Sequence, residues 1–243
     1  MPACLRINLW SGPRNVSTAL MYSFAQRADT RVVDEPLYAH YLRVSGAQHP
    51  GRDEVLAWQE NDGAKVVRDE ILGPCDRPVL FLKQMAHHLV GIDRAFLAQT
   101  RNVILTRDPE EMLMSLIENI PEPTLRDTGY AAQTELLTEL RKLGQDPLVL
   151  VSSELLKDPR GVLAELCARL GIAFDPAMLS WNAGPRPEDG IWAPHWYASV
   201  HRSTGFQPYR KKDARVPDRL FPLLAECRSH YGELVRLAIC ANG

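Results

Sequence analysis

The apolar positions of this chain fall into short unbroken runs separated by stretches of helical periodicity, and that alternation predicts an architecture before any chemistry is considered. Ile7-Asn8-Leu9-Trp10 opens the series as a buried strand. Gly12-Pro13 breaks it, and Ser17-Thr18 starts an amphipathic helix running to about Ala28. Thr30 to Asp34 reads as a second strand, ending in Glu35-Pro36 at the end of a sheet where ligands bind. Pro78 to Lys83 and Asn102 to Thr106 are continuous apolar runs closed by a polar residue, the pattern of strands covered on both faces. Pro147 to Val151 is the last of them.

Helices are predicted between these runs. One spans about 93–99. A second carries residues 112–119, with Pro109 at its start and Glu110 and Glu111 in its first turn, where the dipole favours them. Two more cover 128–143 and 158–170, each stopped by a glycine, and a last one covers 218–239. Strands alternating with helices imply an α/β three-layer sandwich on a central, mostly parallel sheet with right-handed crossovers.

Two segments depart from the rhythm. Residues 37–64 are polar and irregular, with helical pieces at 38–44 and 53–60, and read as an insert that shapes a substrate pocket. Residues 174–212 are rich in Pro, Gly, Trp and His. Their aromatic content (Trp181, Trp192, Trp196, Tyr197, Phe206, Tyr209) argues for a long ordered loop with a function. The expectation is a single domain over 1–243.

Composition narrows the classes. The 243 residues are 45% hydrophobic and 24% charged, ordinary for a soluble globular protein, and the net charge of −2 supplies no basic field for nucleic acid. Any anion site must be local. The five cysteines are scattered, without a C-x-x-C pair or a zinc spacing, and read as reduced thiols. No run approaches a membrane span and no signal peptide is legible, so the expected compartment is the cytoplasm, with no nucleic-acid or membrane partner. Nothing in the pattern fixes an oligomeric state.

The strand, turn and helix start at 7–20 would expose backbone N–H groups at the positive end of a helix dipole, with Gly12, Arg14, Asn15, Ser17 and Thr18 around the same spot. Such a place binds a phosphate. On its own the turn would equally serve to start a helix, with Ser17 as N-cap. It is not a Walker A loop, because the second glycine and the lysine are missing. Arg107, at the end of a strand, and Ser115, two turns into the next helix, would share a face and could hold a second phosphate.

The order Arg14-x-x-Ser17-Thr18, then Asn102-Val103-Ile104-Leu105-Thr106-Arg107-Asp108-Pro109, then Ser115 resembles the PAPS-dependent sulfotransferases, here with arginine where the first loop usually has lysine. The resemblance implies a P-loop-like fold and binding of 3′-phosphoadenosine 5′-phosphosulfate as co-substrate, with the 5′-phosphosulfate on the first loop and the 3′-phosphate on Arg107 and Ser115. His201-Arg202-Ser203-Thr204-Gly205-Phe206 looks like the family's closing loop, which brings Arg202, Ser203 and Gly205 to the nucleotide, with Tyr209 to Lys212 as a basic continuation. It also implies a lysine and a histidine base past a central strand. Lys83 and His87 stand there, more widely spaced than usual, with His88 and Glu35 as further candidates for the base. His87-His88 as a metal site is disfavoured, because no carboxylate lies at helical spacing, and no metal is expected. The implied reaction moves a sulfuryl group to a small-molecule hydroxyl or amine by in-line displacement. The rivals are a Mg²⁺-dependent kinase on a P-loop scaffold and a non-catalytic nucleotide-binding protein of the same fold.

Overall fold

The computed structural model describes residues 4–211 and 215–240. Lys212, the end of the expected basic continuation, lies outside the described residues. Five strands, β1 (Leu5–Ser11), β2 (Thr30–Asp34), β3 (Val79–Met85), β4 (Arg101–Thr106) and β5 (Leu148–Val151), form one sheet in the order β2-β3-β1-β4-β5. Every pairing is parallel. Successive strand residues point to opposite faces, and the apolar runs fill both. Ile7, Leu9, Phe81, Val103 and Leu105 belong to one core, while Trp10, Leu80, Leu82 and Ile104 belong to the other.

The helices are α1 (Ser17–Phe24), α2 (Tyr38–Ser45), α3 (Arg52–Trp58), α4 (Gly63–Val66), α5 (Pro109–Leu116), α6 (Leu125–Thr128), α7 (Tyr130–Lys142), α8 (Ser152–Lys157), α9 (Pro159–Leu170), α10 (Ala193–Trp196), α11 (Ala198–His201) and α12 (Phe221–Val235). Leu20, Met21 and Phe24 of α1 and Leu163 and Leu166 of α9 cover the first face. Leu136, Leu137 and Leu140 of α7 and Leu234 of α12 cover the second, which completes the three layers. Among the described residues no helix is long and apolar enough to cross a membrane.

Boundaries differ from the sequence expectation where local chemistry intervenes. The first helix ends at Phe24, short of Ala28, and the segment expected as a helix over 93–99 is a 3₁₀ turn, Ala95–Gln99. The helix expected over 128–143 is two pieces, because Gly129 at φ 78° separates α6 from α7. The segment from 174 onward is not bare loop. It contains α10, α11 and a 3₁₀ turn, and Trp192, Ala193 and Tyr197 pack with Tyr38, Tyr41 and Leu42 of α2 in a third apolar cluster. Two stretches with no shared periodicity therefore meet beside the sheet.

The strand order places the site. From β1 the chain turns toward β2, and from β4 it turns the other way toward β5, so the loops after these adjacent strands diverge and leave a crevice between them. Register puts Ser11 opposite both Met85 and Leu105. The loops after β1, β3 and β4 therefore leave the sheet at one level.

Candidate active site

A cleft of about 400 Å³ opens at the carboxyl ends of the central strands. One wall is the turn after β1. Arg14 there has φ 53°, a left-handed conformation costing roughly 1–3 kcal/mol for a residue with a side chain unless its surroundings hold it. They do hold it. Arg107 Nη1 donates to the Arg14 carbonyl oxygen at 2.6 Å, Arg14 Nε donates to Ser115 Oγ at 2.9 Å, and Asn15 Nδ2 donates to the Leu105 carbonyl at 3.2 Å. Gln133 Nε2 donates to the same Leu105 carbonyl at 2.7 Å.

The N-cap of α1 is Val16, with no side-chain cap bond, so Ser17 is the first helical residue rather than the cap. Ser17 and Thr18 line the cleft at the first turn of the helix, whose N–H groups have no intrahelical partner. Burial, with Arg107 alongside, lowers the Arg14 pKa although Glu118 opposes the shift. Arg107 also pairs with Glu111 at 3.2 Å, one turn along α5, and Glu111 accepts from Tyr209 Oη at 2.7 Å. Two guanidiniums thus stand at a helix start, with Glu111 beside Arg107 and Glu118 4.0 Å from Arg14.

The opposite wall is built around Lys83. Its ammonium is buried and donates to Asp34 at 2.8 Å, Glu35 at 2.5 Å and Tyr197 Oη at 2.5 Å. Burial opposes that charge, but the Asp34 and Glu35 carboxylates outweigh it and hold the Lys83 pKa well above its ordinary value. Asp34 also accepts from Tyr197 Oη at 2.7 Å and from the Gly190 N–H at 3.2 Å, which ties the late segment to the sheet. Glu35 is the second left-handed residue, φ 41°, held by its N–H to the Lys83 carbonyl at 2.8 Å and by Gln59 on its own carbonyl at 2.9 Å. Burial raises the Glu35 carboxyl, and Lys83 works against it.

Next to this cluster His88 stacks against Tyr38 (5.1 Å, 11°) and Tyr41 (4.7 Å, 23°), and His87 meets Tyr41 edge-on. Nδ1 of each histidine is buried without a hydrogen-bond partner among the described residues. His88 Nδ1 lies 4.0 Å from Glu35. Burial pushes the His87 pKa down to about 3 and His88 well below the usual imidazole range, so both rings are neutral near pH 7. Both neutral rings line the cleft.

The family model described as a sulfotransferase domain matches residues 5–219. The chain belongs to the sulfotransferase domain family. It is 42% identical over 232 residues to branched-chain-amino-acid aminotransferase-like protein 1 of Arabidopsis thaliana and 40% identical over 229 residues to the like-named protein 2. Those alignments cover 92% and 94% of this chain but 42% and 41% of the relatives, so the chain spans less than half the length of the curated relatives it matches. Among solved structures, the sulfotransferase domain of the Synechococcus PCC 7002 olefin synthase superposes with TM-score 0.60 at 17% identity, covering 96% of this chain and 97% of that one. The sulfotransferase domain of the curacin biosynthetic pathway gives 0.56 at 16%, covering 99% and 100%. The Alicyclobacillus acidocaldarius sulfotransferase gives 0.55 at 13%, covering 98% and 98%. At these identities the likeness is one of fold.

Of the residues that the sulfotransferase resemblance picks out, Gly12, Arg14, Asn15, Ser17, Thr18, Arg107, Ser115, Ser203 and Gly205 line the cleft together with Lys83, His87, His88 and Glu35. Arg202 does not. It is exposed and outside the lining, while Ser203 Oγ donates to the Val200 carbonyl and accepts from Trp181. Sequence reasoning missed Asp34, Tyr38, Tyr41 and His49. Asp34 carried a signal, as one of two acids in a row ending a strand, but only the fold shows that it holds Lys83. The aromatic residues of α2 carried none, since their role depends on segments far away in sequence.

Proposed function

We propose that this sulfotransferase-family chain moves a sulfuryl group from 3′-phosphoadenosine 5′-phosphosulfate to a small-molecule hydroxyl or amine by in-line displacement. The observation that carries the reading is the direct contact of two anion-binding elements within one cleft: Arg14 Nε on Ser115 Oγ, and Arg107 on the Arg14 carbonyl. A ligand with phosphate at both ends of a nucleoside suits that pairing, and one with a single phosphate group uses half of it. The donor supplies an activated sulfuryl group, with the 3′,5′-bisphosphate as its leaving group.

The chain's own residues bind, orient and move a proton. The first turn of α1, with Arg14, Ser17 and Thr18, holds the 5′ end and stabilises charge that builds on the leaving phosphate. Arg107 and Ser115 hold the 3′-phosphate, with Ser203 and Gly205 closing the site. The base is His87 or His88, each a neutral imidazole on the cleft lining, and Glu35 orients the acceptor or the ring. As the acceptor oxygen or nitrogen bonds to sulfur, its proton passes to that base and the bond from sulfur to the phosphate oxygen breaks. Lys83 is engaged by three partners and holds Glu35 in place. Residues 37–64 and 174–211 shape the acceptor side.

Incubating the protein with ³⁵S-labelled donor and a metabolite extract tests this reading, with a labelled product expected. Transfer of ³²P from ATP with Mg²⁺, without any sulfur transfer, would replace it with the kinase alternative.

A further inference from the structure

The two halves of the cleft differ in charge and in wall material. On the donor side the charged lining residues are Arg14 and Arg107, with Glu118 4.0 Å from the first and Glu111 3.2 Å from the second. On the other side the described lining carries Glu35 and Asp127 against Lys83 alone, and Asp34 behind the wall also answers Lys83. Arg126, next to Asp127 and over the Tyr41 ring, adds a second cation, so three carboxylates stand against two cations there. Asp127 uses one oxygen, Oδ2, to accept from Thr124 N and Oγ1 at 2.8 and 2.7 Å. It stands two residues before Gly129, where an added Cβ would come within 3.5 Å of His87 Nδ1, so the carboxylate belongs to the same corner as the candidate base.

The wall of that half is aromatic. His49 lies 5.8 Å from Tyr38, 5.8 Å from Tyr41 and 6.2 Å from Trp196, and Tyr38 meets Trp192 edge-on at 5.1 Å. The Tyr38 hydroxyl and His49 Nδ1, 2.9 Å apart, fix the arrangement. Two of the cleft's rings already carry the protein's own cations: Lys83 Nζ is 4.8 Å from the Tyr197 centroid, and the Arg126 guanidinium is 5.8 Å from that of Tyr41. Ring faces attract cations through their quadrupole, more strongly where water is excluded, and neighbouring carboxylates add to the attraction.

We propose that the acceptor is a small alcohol carrying a permanent or protonated ammonium group, with the ammonium held beside Tyr38, Trp192 and Trp196 near Asp127 and the hydroxyl presented to the histidines. This rests on the reading of the cleft as a sulfuryl-transfer site with its donor on the Arg14 and Arg107 side. His87 and His88, both on the cleft lining, are the groups to which the hydroxyl proton passes. An acceptor bearing a carboxylate or phosphate meets Glu35 and Asp127 with no free cation among the described lining residues of that half.

The test is a titration of the protein with choline, with its uncharged carbon isostere 3,3-dimethylbutan-1-ol and with anionic 3-hydroxypropanoate, followed by tryptophan fluorescence. Each is run with and without bound 3′-phosphoadenosine 5′-phosphate (PAP), whose own affinity is measured first. Choline is expected to bind about tenfold or more tightly than the isostere, hydroxypropanoate not at all, and Asp127→Asn to weaken choline at least threefold while leaving the isostere unchanged. Equal binding of choline and the isostere, preference for the anion, or no response to choline overturns the proposal. PAP that binds while choline fails sinks this inference alone. Choline that binds while PAP fails sinks the donor reading alone.

Discussion

The two sides of the cleft are built in contrasting ways. The side proposed to hold the donor comes mainly from two short segments, 12–18 and 107–115, each attached to one of two adjacent strands and each readable as a motif. The acceptor side is assembled from α2, the 49 region, the end of β3, residues 127–129 and the stretch from 190 to 197, which are scattered over most of the chain. Phosphate binding needs N–H groups at a helix start and a fixed guanidinium, which a dozen consecutive residues can supply. Holding an acceptor needs walls, and these come from wherever the fold brings side chains together.

The contrast is sharpest at the buried charges. On the acceptor side Lys83 is enclosed by Asp34 and Glu35, while on the donor side Arg14 and Arg107 each have one carboxylate nearby and also line the cleft. Lys83→Met should therefore act on stability, leaving Asp34 and Glu35 buried without their cation and costing about 3–5 kcal/mol, read from urea unfolding. The folded variant should keep its PAP affinity within about threefold, the scale on which the loss of a distant contact registers. A variant of native stability would show that the cluster is not closed on itself.

Arg107→Ala should do the reverse. It removes one charge-assisted contact to a 3′-phosphate and a bond to the strained Arg14 carbonyl, weakening PAP by about 1.5–3 kcal/mol in calorimetry. Unchanged affinity would take Arg107 out of the site.

Acid should unfold the acceptor side first. His87, at about 3 in the fold against 6.5 free, and His88, lowered in the same direction, must each take up a proton on unfolding. Their contribution is complete above pH 6.5 and is lost as the pH falls from 6.5 toward about 3. Each adds a slope of about 1.4 kcal/mol per pH unit in that window. His87→Gln should flatten the pH dependence of the urea midpoint, and an unchanged profile would mean that His87 is not held neutral.

The smallest expected effect is that of Ser115→Ala. Loss of the Oγ that accepts from Arg14 Nε should weaken PAP by about 0.5–1.5 kcal/mol. A larger effect than that of Arg107→Ala would reverse the assigned ranking.

Legibility in the sequence follows the same division. The five strands were readable because buried parallel strands are apolar throughout, and Gly12-Pro13 punctuates the first one. Arg14, Ser17, Thr18, Arg107 and Ser115 were readable because their spacing matches one helix start and one helix face. Lys83 was visible, but its engagement was not, since Asp34 reaches it only through the β2–β3 register and Tyr197 comes 114 residues later. Arg202 shared a motif with Ser203 and Gly205, yet the short α11 ends at His201 and leaves the Arg202 side chain outside. The aromatic wall had no period to find, because each ring is placed by a different element.

The central claim is that one cleft holds a nucleotide by both of its ends, and the most direct measurement is calorimetry of PAP against adenosine 5′-phosphate, which differs only in the 3′-phosphate. The account predicts PAP at least tenfold tighter, about 1.4 kcal/mol or more, with the difference abolished in Arg107→Ala. Equal affinity for the two nucleotides in the native protein would contradict it.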